Sequence, residues 1–185
     1  MFEAGLKNPG TMAAVVGLSD AALAEVCRDA DVWIANLNCP GQTVISGETE
    51  NIKQASVLAK DKGAKYVFPL QVSGAFHTPL MQSAADGLEK EINQKTISNP
   101  SIPVIGNTRA QLIDSAEAVK TKLLEQVCSC VQWQRTIEYL LEQDVTTFVE
   151  IGPGNVLSSL VSRIDKDAVA TIINIGSVED IERAI

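Results

Sequence analysis

Between residues 10 and 71, four short apolar runs alternate with two helical stretches and one tight turn, an order that restricts the possible folds severely. Met12-Ala13-Ala14-Val15-Val16-Gly17-Leu18 reads as a strand, and Ser19 is a good N-cap for a helix over 20–30. Val32-Trp33-Ile34-Ala35-Asn36-Leu37-Asn38 begins apolar and then alternates, as a half-buried strand does. Cys39-Pro40-Gly41-Gln42 turns the chain, and residues 43–47 return as a strand. Residues 50–62 carry Ile52, Ala55, Val57, Leu58 and Ala59 near helical spacing, and Gly63 stands where a helical C-cap is expected. Lys65-Tyr66-Val67-Phe68-Pro69-Leu70 is the last strand. This βαββαβ order is the ferredoxin-like plan, and it defines a small lobe over 10–71.

Residues 72–185 follow a different pattern. A helix is expected over 80–95, with Leu80, Ala84, Leu88 and Ile92 on one face. A short strand over 102–107, helices over 115–127 and 131–143, and an apolar strand over 146–151 come next. A helix over 156–164, a buried strand over 169–175 and a short helix over 178–185 complete the chain. Strands separated by helices imply a parallel sheet with helices packed on it. Three strands are fewer than such a sheet normally has, so this second block reads as a partial α/β core.

Composition narrows the chemistry. The net charge of −8 excludes a generally basic, nucleic-acid-binding surface, and 4% aromatics leave little for base stacking. No apolar run approaches the roughly 18–20 residues that span a bilayer, so no membrane partner is expected. The N-terminus lacks the pattern of a signal peptide. Cys27, Cys39, Cys128 and Cys130 lack zinc spacing and fit reduced thiols, which points to a cytoplasmic setting without a bound metal.

The only histidine, His77, lies in Pro69-Leu70-Gln71-Val72-Ser73-Gly74-Ala75-Phe76-His77-Thr78-Pro79-Leu80-Met81, where a strand gives way to a turn and a helix. Such a place suits a general base. A nucleophile is not evident. Gly17-Leu18-Ser19-Asp20-Ala21 departs from G-x-S-x-G at its last position, and Ser19 is accounted for as a cap. Gly152-Pro153-Gly154 follows a strand and precedes a helix, which suits either an anion cradle or a plain tight turn. Asn36 and Asn38 occupy alternate positions at a strand end, either facing an acyl ligand together or making Asx turns.

Taken in order, several of these strings resemble the malonyl-CoA:acyl-carrier-protein transacylase family. They are Gly10 to Val15, Asn36-Leu37-Asn38-Cys39-Pro40-Gly41-Gln42 with Thr43 to Gly47, Pro69 to Met81, and Pro103 to Asn107. Val131-Gln132-Trp133 and Phe148-Val149-Glu150-Ile151-Gly152-Pro153-Gly154-Asn155-Val156-Leu157 continue them. The resemblance implies that His77 is the catalytic base and that the backbone carbonyl of Gln126 orients it. It implies that Phe76 crowds the α-substituent of the acyl group, favouring malonyl over bulkier units, and that Asn36 and Asn38 line the acyl pocket. It further implies malonyl-CoA as substrate, no bound cofactor, and the phosphopantetheine thiol of an acyl carrier protein as acceptor, in fatty acid or polyketide biosynthesis. The setting would be cytoplasmic, or plastid or mitochondrial for a eukaryotic precursor.

In the family, the small lobe is inserted into a larger α/β-hydrolase-like core. The family's oxyanion glutamine, its G-H-S-x-G elbow and the arginine that pairs with the malonyl carboxylate lie upstream of the part matched by Met1. The chain is therefore expected to correspond to a C-terminal portion that is inactive alone, with an N-terminal portion of the same enzyme as a further partner. Cys128-Ser129-Cys130 stands where the family usually has a proline, which would loosen the loop after Gln126. A second reading is a non-catalytic ferredoxin-like module that binds an acidic carrier protein through Lys60, Lys62 and Lys65.

Overall fold

The computed structural model describes residues 1–184; Ile185, the end of the expected second block and of its last helix, lies outside the described residues. The chain is an α/β protein whose sheets are antiparallel in one part and parallel in another.

A short helix α1 (Phe2–Lys7) leads into β1 (Gly10–Val16), α2 (Asp20–Asp29), β2 (Trp33–Cys39), β3 (Gln42–Glu48), α3 (Thr49–Asp61) and β4 (Tyr66–Pro69). The four strands form one antiparallel sheet in the order β2-β3-β1-β4. Sequence patterning anticipates every one of these elements except α1. Ser19 caps α2 by accepting from Ala22 N at 3.3 Å, and Gly63, at φ +97°, follows the end of α3 in the left-handed conformation that glycine adopts freely.

Strand alternation sends Ala13 and Val15 to one face of the sheet and Met12 and Ala14 to the other. On the first face Ala13, Val15 and Ile45 pack under Leu23 and Val26 of α2 and Ile52 and Ala55 of α3. On the second, Met12, Ala35 and Val44 are covered by Leu70, Val72 and Phe76 from the segment that leaves β4. That crossing delivers His77 to the side of the sheet opposite α2 and α3.

Beyond it, a single 3-10 turn (Pro79–Met81) precedes α4 (Gln82–Ile92), so the helix expected over 80–95 starts later and stops earlier. Thr78 accounts for the start: its side chain accepts from Leu80 N, and Pro79 sits at the first position of the turn. The strand expected over 102–107 is β5 (Val104–Gly106), but it does not join a parallel sheet. It pairs antiparallel with β6 (Gln111–Ile113), which periodicity does not reveal because three residues are too few to show a period.

The remaining elements are α5 (Ala116–Cys128), α6 (Trp133–Glu142), β7 (Thr147–Ile151), α7 (Val156–Ile164), β8 (Thr171–Ile175) and α8 (Val178–Ala184). β7 and β8 pair in parallel, with α7 as the crossover between them. The β2–β3 turn is anchored to this layer. Cys39 is buried among Ile137 of α6 and Leu160, Val161 and Ile164 of α7, and Arg163 donates to the Gln42 side-chain oxygen. No helix among the described residues is long and apolar enough to cross a membrane.

Candidate active site

His77 is built into a turn that is held from several sides. Its backbone has φ +61°, a left-handed conformation that costs a non-glycine residue about 1–2 kcal/mol. Fully buried Thr78 locks the turn by donating its hydroxyl to the Ala75 carbonyl at 2.7 Å. From the N-terminal side, Asn8 donates Nδ2 to the Leu80 carbonyl at 2.9 Å. α1 lies so close that a Cβ on Gly5 would overlap the Ser73 carbonyl oxygen. Sequence reasoning misses this support because a six-residue helix with a central glycine is too short to show periodicity.

The imidazole Nδ1 lies 2.8 Å from the Gln126 carbonyl oxygen. A carbonyl can only accept, so Nδ1 carries the proton in this bond and Nε2 of the neutral ring keeps its lone pair. The carbonyl is free for this purpose because Gln126 lies in the last turn of α5, where helical carbonyls have no intrahelical partner. A base held by a fixed acceptor is the arrangement found in nucleophile-activating triads, where a third group selects the tautomer.

The other expected positions make no hydrogen bond to the histidine among the described residues. Phe76 is half-buried and packs against both the Met12–Ala35–Val44 cluster and the Ala4–Met81–Ala85–Val127 cluster, so its ring is a core contact as well as a neighbour of His77. Asn36 sits on β2, bridged in parallel to Val131: Val131 N donates to the Ala35 carbonyl at 2.8 Å, and Leu37 N donates to the Val131 carbonyl at 2.9 Å. This ties the strand to the segment that begins at Gln126. The β2–β3 register shifts between Leu37 and Cys39, leaving Asn38 as the extra residue of a bulge, so simple alternation does not govern where the two asparagines point. Neither asparagine side chain is hydrogen-bonded among the described residues.

Candidate nucleophiles within the chain are explained structurally. Ser19 is a helix cap. Cys128 and Cys130 follow Gln126 closely, but burial pushes both thiols up, the reverse of an activated thiolate. Burial takes Cys27 up to about 11. The Gly152-Pro153-Gly154 turn is not an open anion cradle, because the Glu150 carboxylate already occupies the start of α7. It accepts from Leu157 N at 3.1 Å and Ser158 N at 2.7 Å. Asn174 Nδ2 donates to the Gly154 carbonyl at 2.7 Å and closes the turn. Of the three lysines proposed for docking, Lys62 is engaged by Glu25 at 2.7 Å.

Residues 2–182 match the acyl transferase domain family. The chain belongs to that family. A malonyl CoA-acyl carrier protein transacylase of Bacillus subtilis is 42% identical over 190 residues, covering 100% of this chain and 59% of the relative. An acyl carrier protein S-malonyltransferase from Vibrio cholerae superposes with a TM-score of 0.91 at 36% identity, over 95% of this chain and 58% of that one. A malonyl-transacylase solved in complex with a holo type II PKS acyl-carrier protein gives 0.92 at 32% identity, over 98% and 60%. The chain thus spans about three-fifths of the length of these acyl transferases. The match covers α1 and both strand systems, and it upholds the resemblance read from the motifs around His77.

Proposed function

We propose that this chain supplies the general-base half of malonyl transfer from malonyl-CoA to the phosphopantetheine thiol of an acyl carrier protein, in fatty acid or polyketide biosynthesis. The observation that carries the reading is the 2.8 Å bond between His77 Nδ1 and the Gln126 carbonyl, which leaves Nε2 as the basic nitrogen. In the first half-reaction, Nε2 takes the proton of a serine hydroxyl as its oxygen attacks the malonyl thioester carbon. The carbon–sulfur bond breaks, and the proton passes to the departing CoA thiolate. In the second, Nε2 takes the proton of the pantetheine thiol, whose sulfur attacks the malonyl ester. The serine oxygen leaves and recovers the proton. No bound cofactor is needed for either step.

The acyl pocket in this reading is bordered by Asn36 and Asn38, with Phe76 crowding an α-substituent. Its wedging between two clusters supports that role, since a ring held on both sides cannot swing away from a branched acyl group. We read 10–71 as a ferredoxin-like lobe, supported by the β2-β3-β1-β4 order, and 72–185 as the later part of an α/β-hydrolase-like core, supported by the parallel β7–β8 pair. The reading carries a cytoplasmic setting with it. The 185 residues contain no G-x-S-x-G string, so the acylated serine must come from a separate segment and the chain by itself is inactive.

Intact-mass spectrometry after mixing with malonyl-CoA tests this. The 185-residue chain alone stays unmodified, while a mixture with the N-terminal portion of a relative acquires malonyl on the supplied serine. A stoichiometric malonyl adduct on the 185-residue chain would sink the proposal, as would a mixture no faster than the supplied portion alone.

A further inference from the structure

The β5–β6 hairpin contributes little to the core, yet its turn reaches the residue that holds the base. Asn107, just after β5, donates Nδ2 to Gln126 Oε1 at 3.0 Å, while its own carbonyl accepts from Gln132 N at 2.7 Å. One residue therefore holds both ends of the 126–132 segment. Its neighbours grip the same helix end: Thr108 Oγ1 donates to Glu125 Oε2 at 3.2 Å, and Arg109 Nη2 lies 3.6 Å from Glu125 Oε1. The last turn of α5 has no intrahelical bonds to fix its carbonyls, and Ser129 after it is already extended at φ −127° and ψ 153°. The Val127 N–H still holds the Gln126 peptide into the helix, but it lies one turn from a frayed end, so contacts from outside decide how firmly that turn is kept.

We propose that Asn107 is a positioning residue for the base. By holding the Gln126 side chain and Gln132 N, it keeps the last turn of α5 from fraying, and so keeps the Gln126 carbonyl on His77 Nδ1–H, the tautomer that leaves Nε2 basic. This rests on the reading of His77 as the general base. It adds a residue that touches neither substrate nor imidazole and acts through Gln126. Tilting the peptide degrades the bond steeply as its angle falls below about 120°, so a loose Gln126 admits the other tautomer.

His77 is the only histidine, so the imidazole nitrogens of the uniformly 15N-labelled 185-residue chain can be read without assignment. At alkaline pH the wild-type chain is expected to show the Nδ1–H tautomer. Asn107→Leu keeps the approximate size and the backbone bond to Gln132 but offers the Gln126 amide neither donor nor acceptor. The Nδ1–H to Nε2–H ratio should fall about fivefold, the scale of one lost hydrogen bond. Gln126→Ala removes the acceptor and leaves the hairpin turn intact, and should give the same shift. Gln126→Glu, which still accepts from Asn107, should match wild type. Unchanged His77 nitrogens in both N107L and Q126A, with the backbone amide spectrum intact, would overturn the proposal. The readout does not depend on acyl transfer, so a failure of the malonyl reading is told apart from a failure of this one.

Discussion

Ile45 of β3 is fully buried, whereas Ile151 of β7 is 80% exposed, although both lie in apolar strands. The difference comes from the number of neighbours. β1 is bonded on both edges, α2 and α3 cover one face of its sheet, and residues 70–76 cross the other. The antiparallel lobe closes through connections contained within itself. Among the described residues β7 and β8 pair only with each other, and the pair is parallel, an arrangement ordinarily covered on both faces. α6 and α7 cover one face through Ile137, Leu160 and Val161, while Val149 and Ile151 remain exposed. His77 is held on a loop that packs on the closed lobe and by a carbonyl from the last turn of α5, which packs on α4 rather than on β7 and β8.

The largest expected contrast is in hydrogen exchange. Amides of β1 and β3 should exchange through global opening, and those of β7 and β8 at least about a hundredfold faster through local opening. Equal protection in the two sheets would break the contrast. In urea unfolding, Ile45→Ala should cost about 2–5 kcal/mol, while Ile151→Ala should stay within about 0.5 kcal/mol; similar costs at the two sites would show that β7 is enclosed in solution. The helix caps sharpen the same point at a smaller scale. Ser19 and Ser115 each accept from a first-turn N–H at 3.3 Å, and losing either bond should cost its helix about 1 kcal/mol. The Ser19→Ala loss should appear in global stability, and the Ser115→Ala loss mainly as faster exchange in α5.

The smallest effects are electrostatic. Lys122, through its hydrogen bond, leads the groups that hold Glu125 below the usual glutamate range. A depressed carboxylate stabilises the fold at pH above its unfolded value and loses that contribution as pH falls through the folded one. The grip of the hairpin turn on α5 should therefore weaken below about pH 4.5, read as rising amide exchange in β5 and β6. Glu25 in the lobe is lowered by the Lys62 hydrogen bond and follows the same sign. Lys62 is raised by Glu25, so its share is lost only as pH climbs past the usual lysine range. Acid should loosen the hairpin before β1–β3, because Thr108 and Arg109 of its turn end on the Glu125 carboxylate, whereas β1 and β3 are joined along their length by the backbone ladder.

What the sequence reveals follows the range of the interactions involved. The βαββαβ order, the Ser19 cap and Gly63 are legible because local alternation and capping decide them. The His77–Gln126 pair, 49 residues apart, is legible only through resemblance, because no local pattern marks a helix-end carbonyl as the partner of an imidazole. The β5–β6 hairpin, α1 and the bulge at Asn38 stay hidden, since each is short and takes its form from elements far along the chain. Gly152-Pro153-Gly154 suits either an anion cradle or a plain tight turn in sequence, and Glu150 filling the start of α7 decides for the turn.

The central claim is that Nε2 of His77 moves the protons of acyl transfer. The most direct measurement is the rate of serine malonylation in the reconstituted mixture, with wild-type chain against His77→Gln. A fall of about 10²–10⁴-fold, with the mixture still assembled, is the result this account predicts. An undiminished rate with His77→Gln would contradict it.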